Sequence, residues 1–118
     1  MKRNPDLLRE IMLAVEKQPA GKPLYGSGLK ACCDNPHELG DHVQQLIKAG
    51  LLDGVVYFYP RMPPKILIHR ITPAGYEFLR VMREDTTWKK VKDNFIKTAA
   101  NWTLQLALEY AKKLIREP

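Results

Sequence analysis

Val55-Val56-Tyr57-Phe58-Tyr59-Pro60-Arg61-Met62-Pro63-Pro64-Lys65-Ile66-Leu67-Ile68-His69-Arg70-Ile71 reads as a β-hairpin. Both arms, 55–59 and 65–71, are rich in β-branched and aromatic residues, the composition of strands. The middle cannot be strand. Pro60, Pro63 and Pro64 have no N–H to give a ladder, so 60–64 is a stiff turn.

Outward from the hairpin lie helices that open with one device. Asn4-Pro5, Asn35-Pro36 and Thr72-Pro73 each set a capping side chain before a proline at the first helical position. Glu38 adds a capping-box spacing to the second. The first helix spans 5–18, with Leu7, Leu8, Ile11, Met12 and Val15 on one face. Pro19 and Gly21 stop it. Signals over 22–34 are weak: Gly26-Ser27-Gly28 reads as a loop, with room for a short strand near Leu24-Tyr25. The second helix spans 36–49, buries Leu39, Val43, Leu46 and Ile47, and ends at Gly50. A third starts after Thr72-Pro73 with Phe78, Leu79 and Met82. Arg83-Glu84-Asp85-Thr86-Thr87 is a polar break. Two helical stretches follow, one with Trp88, Val91, Phe95 and Ile96, the other with Leu104, Leu108 and Ile115.

The 118 residues suffice for one core. With 45% hydrophobic and 27% charged residues, the chain has a globular composition rather than a disordered one. No apolar run reaches the roughly 18 residues of a membrane span. No signal-peptide core follows Met1-Lys2-Arg3, so a cytoplasmic location is expected. Adjacent Cys32 and Cys33 bridge each other only with strain, which argues against a structural disulfide. The net charge of +6 favours anionic partners. Residues 86–118 carry seven Lys/Arg against three Asp/Glu, so the excess is C-terminal.

The order helix, weak strand, helix ending in Leu46-x-x-Ala49-Gly50-Leu51, hairpin, then Ile71-Thr72-Pro73-Ala74-Gly75 opening a helix resembles winged-helix domains. A closer resemblance is to the uncharacterised family catalogued as domain of unknown function 2513, often found in phages and prophages. Asp6-Leu7-Leu8-Arg9-Glu10-Ile11 with Glu16, His42-Val43 with Leu46 and Ala49-Gly50-Leu51, Ile71-Thr72 with Gly75 and Glu77-Phe78-Leu79, and Arg83 with Asp85-Thr86, Trp88, Lys90 and Lys92 carry it. The resemblance implies a mainly α, α+β winged-helix-like domain over 1–85, with the hairpin as wing. Residues 86–118 would form a helical extension on the same domain. Two departures stand out. The wing is proline-rich, and 28–34 can supply at most about two helical turns where a helix-turn-helix places a full helix.

On a winged-helix reading the DNA-binding candidates are Arg61, Lys65 and Arg70 on the hairpin, and His37, Gln44, Gln45 and Lys48 on the outer face of helix 36–49. Glutamines can pair with adenine edges, and Lys48 with guanine or phosphate. Arginine suits narrow minor grooves. The plainer alternatives are a solvated helix face, which also bears Glu38 and Asp41, and a hairpin charged to protect its edges. The spacing of Cys32, Cys33, His37 and His42 matches no common zinc arrangement, so no metal is expected; His42 flanks the buried stripe and reads as half-buried. No phosphate loop or nucleophile–base arrangement is present, so neither an enzyme nor a cofactor is expected.

The last helical stretch has an apolar arc of roughly 200°, against about 100° for a helix resting on one core. Trp102, Leu104, Leu106, Leu108 and Tyr110 are the candidate homodimer interface; closure of a larger intramolecular core is the alternative. Two functions follow. The first is a dimeric DNA-binding transcriptional regulator of phage or prophage origin. The second is a winged-helix scaffold for protein contacts, such as a phage accessory protein acting on a host factor.

Overall fold

The computed structural model describes residues 4–97 and Lys113. The interface candidates Trp102, Leu104, Leu106, Leu108 and Tyr110, and the last helical stretch, lie outside the described residues. Within them the architecture is α+β, with four α-helices, one 3-10 turn and a three-stranded antiparallel sheet. That order is compatible with the winged-helix expectation.

Helix α1 (Pro5–Glu16) forms because the Asn4 side chain accepts the N–H groups of Asp6 and Leu7 while Pro5 fixes the first turn. Leu7, Leu8, Ile11, Met12 and Val15 are buried, as their spacing requires. Strand β1 (Leu24–Tyr25) is only two residues long. The chain then enters a 3-10 turn, η1 (Gly26–Leu29), where the sequence reads as a loop. Leu29 explains the difference: it is fully buried and ties this glycine-rich stretch to the core.

Helix α2 (Pro36–Lys48) starts on Asn35, whose side chain accepts from the N–H groups of His37 and Glu38. The return arm expected of a capping box is not formed among the described residues. The Glu38 carboxylate faces the Cys33 thiol instead, at 3.7 Å. Gly50 follows at φ 79°, the left-handed conformation that glycine adopts without penalty. Strands β2 (Leu52–Tyr57) and β3 (Lys65–Ile71) make the hairpin, and the sheet order is β1-β3-β2. β2 begins three residues before the expected Val55, because Leu52 pairs with Ile71 directly after the helix. Phe58 and Tyr59 accordingly fall outside the ladder.

Helix α3 (Pro73–Met82) is locked to the end of α2. The N–H of Thr72 donates to the Leu51 carbonyl, and its hydroxyl reaches the Gly50 carbonyl. Helix α4 (Asp85–Lys97) starts inside the expected polar break, which shrinks to Arg83-Glu84. An acidic residue suits the first turn, and Asp85 occupies it. The core combines α1, α2, α3 and the inner sheet face, and takes in Trp88 and Val91 from α4. Phe78 and Trp88 meet edge to face, with ring centroids 6.4 Å apart.

Candidate functional site

Helix α2 packs on both strands of the hairpin, and at Gly40 it also meets the residues that join them. Gly40 is buried on α2, and a Cβ placed there would stand 2.6 Å from Cγ of Pro64 and 3.6 Å from the Phe58 ring. The hairpin therefore rests directly on the helix backbone, in van der Waals contact that only a glycine permits. The stiff proline turn is thereby fixed relative to α2, and with it Arg61 and Lys65.

These two hairpin cations are exposed and have no ion-pair partner among the described residues. Arg70 differs. Its Nε donates to Oδ2 of Asp53 at 3.0 Å, across a cross-strand pair. Asp53 lies outside the stretch 55–71 that reads as the hairpin, and it is the strand register that pairs it with Arg70. Arg70 thus presents a neutralised pair rather than a lone cation.

On α2, His37 and Lys48 are exposed near opposite ends, about 16 Å apart along the axis. Gln44 is half-buried. Gln45 is also half-buried: its Nε2 donates to Oδ2 of Asp41 at 3.0 Å. Its Oε1 is buried without a hydrogen-bond partner among the described residues. Turning the amide over would face that oxygen to the Asp41 carboxylate, so the orientation is fixed by charge. The free-standing glutamine pair expected from the sequence reduces to Gln44 alone.

His42 is fully buried, not half-buried, and bonded at both ring nitrogens. Nδ1 donates to the Glu38 carbonyl at 2.8 Å, and Nε2 accepts the Asn4 N–H at 3.0 Å. This is a structural neutral histidine that joins α2 to the cap of α1. Burial, with the nearby Glu10 and Cys33, pushes the Cys32 thiol above its usual range. That thiol approaches the Glu10 carbonyl at 3.6 Å.

Sequence reasoning missed a groove of about 580 Å³ between η1, the start of α2 and the beginning of β3. It exists because β1 stops after two residues. Beyond the Tyr25–Leu67 pair, the chain turns away into η1 and leaves that flank of β3 without a neighbour strand. Tyr25, Leu39, Tyr57, Pro64 and Leu67 form most of its walls, and Lys30 and Lys65 also line it. Tyr25 and Tyr57 are both more than half exposed, on the same sheet face as Leu67 and Lys65.

The family described as Hypothetical protein (DUF2513) matches residues 2–101. The chain belongs to this family. The chain is similar to an uncharacterized protein of Haemophilus influenzae, 29% identical over 119 residues, which span 99% of this chain and 98% of the relative. No solved structure matches the chain. The residues that carry the DUF2513 resemblance at its two ends meet in space. Arg9 contacts Asp85 at 2.6 Å, Arg83 contacts Glu16, and Asp6 contacts Trp88 and Lys92. They clasp α4 to α1 and do not build the α2–hairpin surface. No helix among the described residues is long and apolar enough to cross a membrane.

Proposed function

We propose that this protein is a non-enzymatic winged-helix binding protein that contacts DNA through its hairpin, as a transcriptional regulator. Phage or prophage origin is the setting that the family resemblance implies. The observation that carries the reading is the seat of Pro64 on Gly40. It supports a rigid wing that holds Arg61 and Lys65, both unpaired among the described residues, at a set distance from α2. A cation held in place loses little entropy when it meets phosphate. His37, Gln44 and Lys48 are the helix contacts in this reading; Arg70 and Gln45 are secondary because Asp53 and Asp41 already engage them. A homodimer through Trp102, Leu104, Leu106, Leu108 and Tyr110 would set two wings at a fixed spacing.

The test is anisotropy with a labelled mixed-sequence duplex at two salt concentrations. Wild type should bind more weakly at the higher salt, and Arg61→Ala with Lys65→Ala should bind more weakly still. Unchanged affinity in the double variant sinks the wing as a DNA contact. Light scattering on the full chain and on Leu106→Glu with Tyr110→Glu tests the dimer; a monomeric parent at tens of micromolar removes it. The second reading is a scaffold for a host protein. Glu38 and Asp41 on α2 favour it, as does the short η1 where DNA binders place a helix.

A further inference from the structure

We propose that the groove between η1, α2 and β3 is a binding site for a small amphipathic anion, an aromatic or branched aliphatic carboxylate. The inference is independent of whether the hairpin binds DNA. Three observations point the same way.

The first is size and lining. A volume of about 580 Å³ falls within the 300–1,000 Å³ typical of small-molecule sites. Leu39, Pro64 and Ile66 supply apolar lining, with Ile66 on the inner face of the sheet, while Leu67, Tyr25 and Tyr57 lie on its outer face, so the groove wraps the open edge of β3. A flat hydrophobic body would be covered on several sides.

The second is charge. Lys30 and Lys65 line the groove from η1 and from β3, and both are exposed. Neither has an ion-pair partner among the described residues. Asp34 is the single acid among the described residues of the lining, so these walls carry one net positive charge. A ligand that buries its apolar body here can bring its carboxylate to a lysine, and the two tyrosine hydroxyls can donate to it.

The third is preformation. The groove is walled by elements held from behind. Leu29 anchors η1 in the core, Asn35 caps α2, and Pro64 is seated on Gly40. Little ordering is left for a ligand to impose. A peptide strand is a poorer occupant, because at the groove the open flank of β3 covers just Lys65 and Ile66.

The experiment titrates the full chain, labelled with ¹⁵N, with 2-naphthoate and with 2-naphthamide, which share a shape and differ in charge. Expected are saturable shifts confined to the amides of Gly26–Lys30 and Lys65–Leu67, with the carboxylate binding about five to ten times more tightly. Lys30→Gln with Lys65→Gln should erase that ratio and leave naphthamide unchanged. Asp34→Asn should raise naphthoate affinity. Ser27→Trp should block both ligands by filling the groove from an exposed position. Equal binding of the two probes, shifts centred elsewhere, no saturation in the millimolar range, or undiminished binding by a folded Ser27→Trp chain would each overturn the proposal. Should that variant fail to fold, the lysine pair decides, since both side chains are solvent-exposed.

Discussion

The indole N–H of Trp88 donates to Oδ1 of Asp6 at 3.1 Å, joining residues 82 positions apart. The other carboxylate contact comes from Lys92 at 3.1 Å. Beside them Arg9 donates to the Met82 carbonyl at 2.6 Å and to Asp85. Helix α4 is thus bound to α1 by the apolar face of Trp88 below and a polar clasp above. Trp88→Phe keeps an aromatic ring against Phe78 but loses the donor and leaves a small void. It should cost about 2 kcal/mol, measured as a shift in urea midpoint by circular dichroism.

Asp6 makes the same clasp sensitive to acid. Partial burial works to raise its carboxyl, but the hydrogen bonds from Trp88 and Lys92 and the charges of Lys92 and Arg9 outweigh it and hold it below the usual range. A carboxyl depressed in the folded state stabilises above its unfolded value, about 3.9, and that contribution fades as pH falls through the lower folded value. Asp6→Asn should therefore be less stable than wild type at pH 7, and the gap should narrow as pH falls below the unfolded value. The gap is small, because Asp6 is largely solvent-exposed. Urea midpoints at pH 7 and pH 3 measure it; a gap that is constant with pH would remove Asp6 from the acid response.

The junction of α2, β3 and α3 separates two kinds of glycine. At Gly50 nothing lies within 4 Å of an added Cβ, but φ is 79°, so Gly50→Ala pays only for backbone conformation, about 1–2 kcal/mol. At Gly75 an added Cβ would stand 2.1 Å from the Leu51 carbonyl oxygen. Gly75→Ala must separate α3 from that backbone, and should cost about 3 kcal/mol, the upper part of the range for overpacking. Gly50→Asn should recover much of the first loss, because asparagine tolerates the left-handed region. Thermal unfolding of the three variants gives the ranking.

Much of this fold is legible in the sequence because it rests on local signals. Asn4, Asn35 and Thr72 cap α1, α2 and α3 through side-chain contacts three residues away or fewer. The apolar spacing of α1 names its buried face without error. What stayed hidden depends on pairings between distant segments. Asp53 neutralises Arg70 only through the strand register, and the groove arises because β1 ends two residues after it begins. η1 is a single 3-10 turn, too short for any periodicity to show. The motif residues Asp6, Arg9, Glu16, Arg83 and Asp85 stand far apart along the chain; folded, Arg9 pairs with Asp85, Arg83 with Glu16, and Asp6 with Trp88 and Lys92.

Gly40 offers a way to move the hairpin without touching its charges. In a helix, Gly→Ala gains about 1 kcal/mol of propensity. Here the new methyl would meet the Pro64 ring at 2.6 Å, and a proline ring cannot rotate away. Overpacking costs about 1–3 kcal/mol, so it cancels or exceeds the gain. Gly40→Ala should leave the melting temperature within a few degrees of wild type or below it, while the amide resonances of Phe58, Tyr59, Arg61, Met62 and Lys65 shift most. Unaltered hairpin resonances would show that Pro64 does not rest on α2.

Arg70 and Asp53 supply the sharpest check on the DNA reading. Each lysine or arginine that neutralises a phosphate adds about 0.9 to the slope of log affinity against log salt. Arg61→Ala and Lys65→Ala together should therefore lower the slope by about 1.8 and weaken binding alike across sequences. Arg70 is already paired with Asp53, so Arg70→Ala should change the slope by well under 0.9. Asp53→Asn releases Arg70 to solvent and removes a negative charge from the hairpin. It should tighten DNA binding and steepen the slope toward one further contact. Anisotropy over 50–200 mM salt on these four proteins separates the outcomes. If Arg70→Ala lowers the slope by about 0.9, half the effect of the double variant, Arg70 leaves Asp53 to meet the phosphate. If Asp53→Asn has no effect, the outer face of β2 and β3 lies away from the DNA, and only the turn at Arg61 and Lys65 touches it.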